Sequence, residues 1–198
     1  YFNQEIDRPA VFSRTSFPGN DPTYDRLKAY LESRTELKNS WSSSVFDLEY
    51  PIEPSVEDYS ADFERHVEIL RAPKGELRRS LLVSLKGQPG LHETFFINSR
   101  EDAEIYLSLP MPTVDGDVSS FFTAAAEIGD RGIAEVGIRF NPGGYVAELC
   151  GSGNFAILSA TDRDIIDALC ERQMRIVLDR VKFLVARDTG PFFSMLGQ

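Results

Sequence analysis

Among the 198 residues, the side chains able to do chemistry at an open site fall into three groups. Asn141, Tyr145 and Glu148 bring an amide, a phenol and a carboxylate to the stretch after the most strand-like run, Ile133 to Phe140, where all three could line one mouth. The alternative is that Asn141-Pro142-Gly143-Gly144 is turn chemistry alone. Arg14 ends an earlier short strand and heads into a loop, as an anion or carboxylate contact would, a surface ion pair being the plainer reading. Tyr24 lies near that loop and offers a ring or a hydroxyl, although its helical spacing also suits a core position. His92 beside Glu93, after Gly87-Gln88-Pro89-Gly90, could act as acid and base. His66 falls on the wet face of a strand and reads as solvated. The substrate-binding candidates are therefore Arg14, Tyr24, His92, Asn141, Tyr145 and Glu148, with no residue assigned to catalysis and none to a metal.

Composition removes several classes. A formal charge of -10 with no Lys/Arg cluster makes nucleic acid an unlikely partner. No apolar run approaches the roughly 20 residues that span a bilayer. The start, Tyr1-Phe2-Asn3-Gln4-Glu5, lacks the regions of a signal peptide, so a cytoplasmic setting is expected. Cys150 and Cys170 have no metal-ligand spacing and read as buried free thiols. Gly143-Gly144 has neither Walker spacing nor its lysine, and no Gly-x-Gly-x-x-Gly run occurs, so no nucleotide cofactor is expected. With 42% hydrophobic residues the chain can bury one sizeable core, and residues 1–198 are expected to form one domain.

The elements that must position these groups follow from periodicity. Ala10 to Arg14 reads as a strand and Phe17 to Asn20 as a loop. Asp21 then caps a helix with Pro22 at its first position and Tyr24, Leu27 and Leu31 at helical spacing. From residue 45 to 97 the pattern changes to an inserted antiparallel hairpin region. Phe63, Val67 and Ile69 alternate there with Glu64, His66 and Glu68, and Ala72-Pro73-Lys74-Gly75 forms a type I turn into a return strand from Leu77 to Leu85. Ser99 with Asp102 opens a helix through Leu107. Val118, Phe121, Phe122, Ala125 and Ile128 mark another, stopped by Gly129. Ile133 to Phe140 is a strand, followed by a short helix through Leu149. The longest helix is expected from Thr161, with Asp164 as capping partner, to about Arg187, burying Cys170, Met174, Val177, Val181 and Leu184. Pro191 to Leu196 reads as a final buried strand. Strand and helix alternate, which predicts an α/β fold with a parallel sheet.

The order of these pieces resembles the uroporphyrinogen decarboxylase superfamily. Arg8-Pro9-Ala10-Val11-Phe12-Ser13-Arg14, with Tyr24-Asp25-Arg26-Leu27 after a Pro/Gly loop, resembles its N-terminal substrate loop. Pro142-Gly143-Gly144-Tyr145 through Gly151 resembles its proline-containing loop and following helix, and Thr161 to Gly197 its long helix and next barrel strand. Pro73-Lys74-Gly75 and Ser99-Arg100-Glu101-Asp102-Ala103 are similar to the corrinoid-linked methyltransferase branch. The resemblance implies a partial TIM-type (β/α) barrel, the N-terminal part of a (β/α)8 enzyme of which about 250 residues would be typical. It implies a tetrapyrrole-type or corrinoid-linked substrate, with a small-molecule tetrapyrrole or a corrinoid protein as partner. Where the decarboxylase loop carries a second arginine, this chain has Pro18, which favours methyl transfer over uroporphyrinogen decarboxylation. The methyltransferase branch implies zinc and a corrinoid, with zinc ligands expected beyond Gln198. A non-catalytic, self-associating half-barrel, for instance a homodimer, is the reading from another class, motivated by an open terminal strand.

Overall fold

The computed structural model describes residues 21–35, 37–42 and 50–197. The expected strand at Ala10 to Arg14 and its loop lie outside them. Asp21 caps the chain as expected, accepting from the Thr23 amide at 2.9 Å, with Pro22 at the first position of a 3-10 turn. That turn leads into α1 (Asp25–Arg34), which buries none of its residues and leaves Leu27 exposed.

The centre of one core is a three-stranded parallel sheet in the order β1-β6-β7. Its middle strand, β6 (Gly132–Phe140), is the apolar run expected to be a strand, and Val136 in it is fully buried. β1 (Leu37–Trp41) pairs with it from Leu37 opposite Gly132, and an ion pair between Lys38 and Glu135 joins the two. No strand was expected at β1, because Lys38-Asn39-Ser40 interrupts its apolar character. β7 (Phe193–Leu196) flanks β6 on the other side, half-buried to exposed rather than buried. It is an outer strand of this sheet, so among the described residues one of its hydrogen-bonding edges remains unpaired.

α3 (Ser119–Ile128) packs on β1 and β6, with the Phe121 ring edge-on to Trp41 at 5.4 Å and Ser120 accepting from the indole N–H at 3.0 Å. Gly129 ends this helix with φ 54°, a conformation that favours glycine. Phe122 points to solvent, so only part of the expected apolar stripe is used.

Between β1 and β6 the chain builds a second sheet, order β2-β3-β4-β5, from β2 (Ile52–Asp58), β3 (Phe63–Ala72), β4 (Gly75–Ser84) and β5 (Leu91–Thr94). All its pairings are antiparallel, and Pro73-Lys74 makes the β3–β4 turn. The expected hairpin region is thus a four-stranded sheet. Leu70 and Leu77 sit opposite each other on the face turned toward α2 (Arg100–Leu107) and α4 (Pro142–Thr161). By alternation Val67 points the other way, yet it is 2% exposed. That second face carries Arg65 bridged to Glu57 and Glu93, and Arg71 bridged to Glu53 and Glu76. The long stems of these charged residues cover apolar surface while their ends stay wet, so the simple wet-face and dry-face alternation does not hold. His66 is half-buried and pairs with Glu64 at 2.6 Å.

α2 starts where expected, Ser99 accepting from the Asp102 amide at 3.2 Å. α4 starts at Asn141, whose side-chain oxygen accepts from the Gly144 amide at 2.8 Å, with Pro142 at the first position. The expected short helix ends near Leu149. The chain instead kinks at Gly151, φ 70° and ψ 155°, and resumes its helix to Thr161. The kink takes the Leu149 carbonyl out of the helical ladder, and the Ile97 amide donates to it at 3.0 Å.

α5 (Arg163–Val185) begins after Thr161 rather than at it. Thr161 belongs to α4, its hydroxyl donating to the Ile157 carbonyl, and the expected capping partner Asp164 bonds Arg100 of α2 instead. Ile165, Ile166, Leu169, Ile176, Val177 and Leu184 are its buried apolar residues. Val177 and Leu184 agree with the expected stripe, whereas Met174 is exposed. The helix lies between α4 and the parallel sheet and buries a wide arc that even takes in Arg172 and Arg180.

The fold is therefore mixed α/β, a parallel and an antiparallel sheet with helices between them, and no closed barrel is formed among the described residues. No described helix is long and apolar enough to cross a membrane.

Candidate functional site

Where β6 ends and α4 begins, a cleft of about 390 Å³ opens between the antiparallel sheet and the helices. Its polar groups come from four elements and one connecting segment. Arg79 of β4 and Arg139 of β6 supply guanidiniums, and Tyr50, Tyr106 of α2 and Tyr145 of α4 supply phenols. Glu148, one helical turn beyond Tyr145, supplies the carboxylate. Leu70, Phe96, Phe140 and Leu149 make the apolar wall. A shallower depression of about 490 Å³ adjoins it, sharing Tyr50 and Ile52.

Local sequence explains each placement. Arg79 follows Leu77 by two in β4, so it lies on the same inward face. Its guanidinium lies 4.7 Å from the centre of the Phe96 ring, and its Nε donates to Glu68 at 2.5 Å. Arg139 adopts φ 62°, a left-handed conformation uncommon for a residue with a side chain. The β6–β7 register shifts between Gly137 and Phe140, and such irregularities re-aim side chains. Tyr145 and Glu148 are separated by three in α4, which places them on one helix face.

Behind the cleft wall lies Arg172 of α5, which is 9% exposed. Its Nη2 donates to the Tyr50 hydroxyl at 2.6 Å and to the Pro110 carbonyl at 2.8 Å. Tyr50 in turn donates to the same carbonyl at 3.0 Å. The Tyr106 hydroxyl donates to that of Tyr145 at 3.4 Å. Burial, reinforced by Tyr145, pushes the Tyr106 phenol well above the usual tyrosine range, so it stays protonated as a donor.

Two of the six sequence candidates, Tyr145 and Glu148, line this cleft. Asn141 is instead the α4 cap, and its side-chain N–H also donates to the Leu196 carbonyl at 3.2 Å. His92 lies in β5, stacked on Phe95 at 5.2 Å and outside the cleft lining. Its neighbour Glu93 is bonded to Arg65 rather than to His92. Tyr24 is in the turn before α1 and does not line the cleft. Arg14 lies outside the described residues.

The sequence reading omitted Tyr50, Arg79, Tyr106, Arg139 and Arg172. Two of them carried a signal. Arg79 occupies an inward strand position, and Arg172 follows Leu169 by three and precedes Ile176 by four, in phase with the buried side of α5. An arginine in the apolar phase of an element is costly without a role.

Among the described residues no three His, Cys, Asp or Glu side chains converge as a metal-binding set. The zinc implied by the resemblance therefore has no ligand set there. Cys150 is buried and its thiol is pushed up to about 12 by that burial, which leaves it inert as a nucleophile. The arrangement suits non-covalent capture of a ligand with an apolar body and an oxygen-rich, acidic end. Comparison with protein-family models, curated proteins and solved structures yields no match for this chain.

Proposed function

We propose that the chain forms part of a (β/α) barrel enzyme of the uroporphyrinogen decarboxylase-like superfamily. Its substrate is tetrapyrrole-type or corrinoid-linked, and methyl transfer is favoured over decarboxylation. The observation that carries this reading is the place of the cleft. It opens at the C-terminal end of a parallel strand and takes lining residues from the helix that follows, which is the side where barrel enzymes keep their active sites. Three parallel strands with α5 as the crossover from β6 to β7 are compatible with part of such a barrel, since β1 and β7 are outer strands that further strands would extend. Within this reading the described residues supply substrate binding, and no step is routed through zinc. A cytoplasmic setting, with a corrinoid protein or a free tetrapyrrole as partner, accompanies it.

Decarboxylation is the second reading, favoured by one observation: Arg79 and Arg139 line one cleft, and guanidiniums are the groups that hold several carboxylates. Both are tested by incubating the protein that carries this chain with methylcobalamin or a methyl-corrinoid protein and a thiol acceptor, and separately with uroporphyrinogen. Loss of the methyl-corrinoid absorbance with methylated thiol formed is the expected result. Coproporphyrinogen formation without methyl transfer would establish the second reading, and neither product would overturn both.

A further inference from the structure

A series of groups runs from behind the cleft wall to the cleft surface. Arg172, at its interior end, bonds a phenol and a carbonyl, lies 3.4 Å from the Met111 sulfur, and has its Nε buried without a partner. Among the described residues none of its partners is a carboxylate. A guanidinium does not give up its proton even when buried, so its positive field falls on what surrounds it. The rings of Tyr50 and Tyr106 are closest, with centroids at 6.0 and 5.9 Å. Tyr106 donates to the Tyr145 oxygen, and a hydroxyl that accepts a hydrogen bond becomes a stronger donor in its turn. The Tyr145 proton is then left to point away from Tyr106. Arg79, on β4, also lines the cleft and among the described residues has only its Nε engaged, by Glu68, leaving its two terminal amino groups.

We infer that the cleft is an oxyanion site in which Tyr145 and Arg79 take an anionic oxygen of a ligand whose apolar body rests on Phe96 and Phe140. Arg172 is the positioning residue, fixing Tyr50 and biasing the Tyr106–Tyr145 pair toward donation. This rests on the cleft being the ligand site, as proposed above. The ligand chemistry is an anionic oxygen on an apolar or aromatic body, whether carboxylate or phosphate. Glu148 also lines the cleft but is exposed, so water screens its repulsion of such an anion.

The test uses three probes sharing one ring system: naphthoate, its methyl ester and naphthyl phosphate. Binding to the whole protein is followed by calorimetry. A hydrogen bond to a charged group predicts that naphthoate binds about tenfold tighter than the ester or better. Tyr145→Phe, which keeps the ring, removes most of that preference and leaves the ester unchanged. Arg172→Met lowers the acid-to-ester ratio in the same way, while Arg172→Lys recovers part of it. A purely structural role for Arg172 would weaken both probes equally, and that result overturns its assignment. If Arg172→Met fails to fold, the Tyr145→Phe ratio decides. Naphthyl phosphate binding as well as naphthoate, or better, supports an oxyanion site open to either source, and naphthoate alone narrows it to carboxylates. Equal binding of acid and ester by the native protein overturns the oxyanion inference but leaves the cleft a ligand site. Binding of none of the probes overturns both.

Discussion

Replacing Gly151 by alanine tests the kink that shapes α4, and the cost can be worked from the structure. The backbone at φ 70° and ψ 155° lies in a region essentially reserved for glycine, where any other residue costs about 1–3 kcal/mol. The added Cβ would also lie 2.3 Å from one atom of the Phe95 ring and 2.5 Å from the next, so the ring must move. Overpacking of that kind adds about 1–3 kcal/mol. Loss of glycine freedom from the unfolded chain returns about 0.4–1 kcal/mol. The net expectation is a destabilisation of about 1–6 kcal/mol. Gly153, two residues on, is the control. A Cβ there meets nothing within 4 Å and the position is helical, so Gly153→Ala should stabilise by about 0.5–1 kcal/mol. Urea denaturation of the two variants beside the native protein gives both numbers. Should Gly151→Ala fall within about 1 kcal/mol of native while Gly153→Ala behaves as expected, neither the backbone strain nor the Phe95 contact is as described. The Ile97 to Leu149 hydrogen bond and the cleft wall at Leu149 would then need another support.

Two further outcomes follow. Arg100 clasps α2 to the start of α5 through Asp164 and Asp162, and both carboxyls lie below the ordinary value of 3.8, Asp164 chiefly through its bond to Arg100 and Asp162 through Thr161 and then Arg100. A lowered folded value means stability fully present above 3.8 and lost as pH falls through the folded values. The Tm difference between native protein and Arg100→Gln should therefore be constant near neutrality and shrink in acid, and a difference that grows in acid would contradict the clasp. Cys170 is half-buried and Cys150 fully buried, so a thiol-reactive disulfide should label Cys170 first and Cys150 only on unfolding; rapid labelling of a Cys170→Ser variant would show that the Cys150 environment is open.

What the sequence made legible was local. Ser99-Asp102 and Ala72 to Gly75 carry their instructions within four residues, and a helix cap and a strand-reversing turn form where they were expected, whereas Asn141, read as a mouth residue or as turn chemistry, forms a cap. β6 was legible because its run is mostly apolar, only Glu135 and Arg139 interrupting it. Gly151 misled, since glycine after an apolar turn ordinarily ends a helix, whereas here the chain bends around Phe95 and goes on. The α5 stripe shifted because its burial depends on what α4 and the sheet present to it, which is not encoded in α5. The same limit explains the cleft. Tyr145 and Glu148 could be named from their place after β6, but Tyr50, Arg79 and Arg172 join them only through contacts between residues far apart in the chain. His92 looked free to act as a base, and its ring is instead stacked on Phe95.

The antiparallel sheet inserted between β1 and β6 also bears on how the protein assembles. β3 and β4 meet across a turn, Ala72 opposite Gly75, whereas Leu37 must find Gly132. Closing the second loop costs about 3 kcal/mol more chain entropy than closing the first, by the logarithmic dependence on loop length. Local pairing is also the faster route in folding generally. The insertion is therefore expected to condense first, on its own short-range contacts, and so to shorten the effective distance between the two strands that must pair in parallel. Pulse-labelled hydrogen exchange should accordingly protect β3 and β4 amides before those linking β1 to β6. The cleft, which needs both sheets in place, is then among the last features to form.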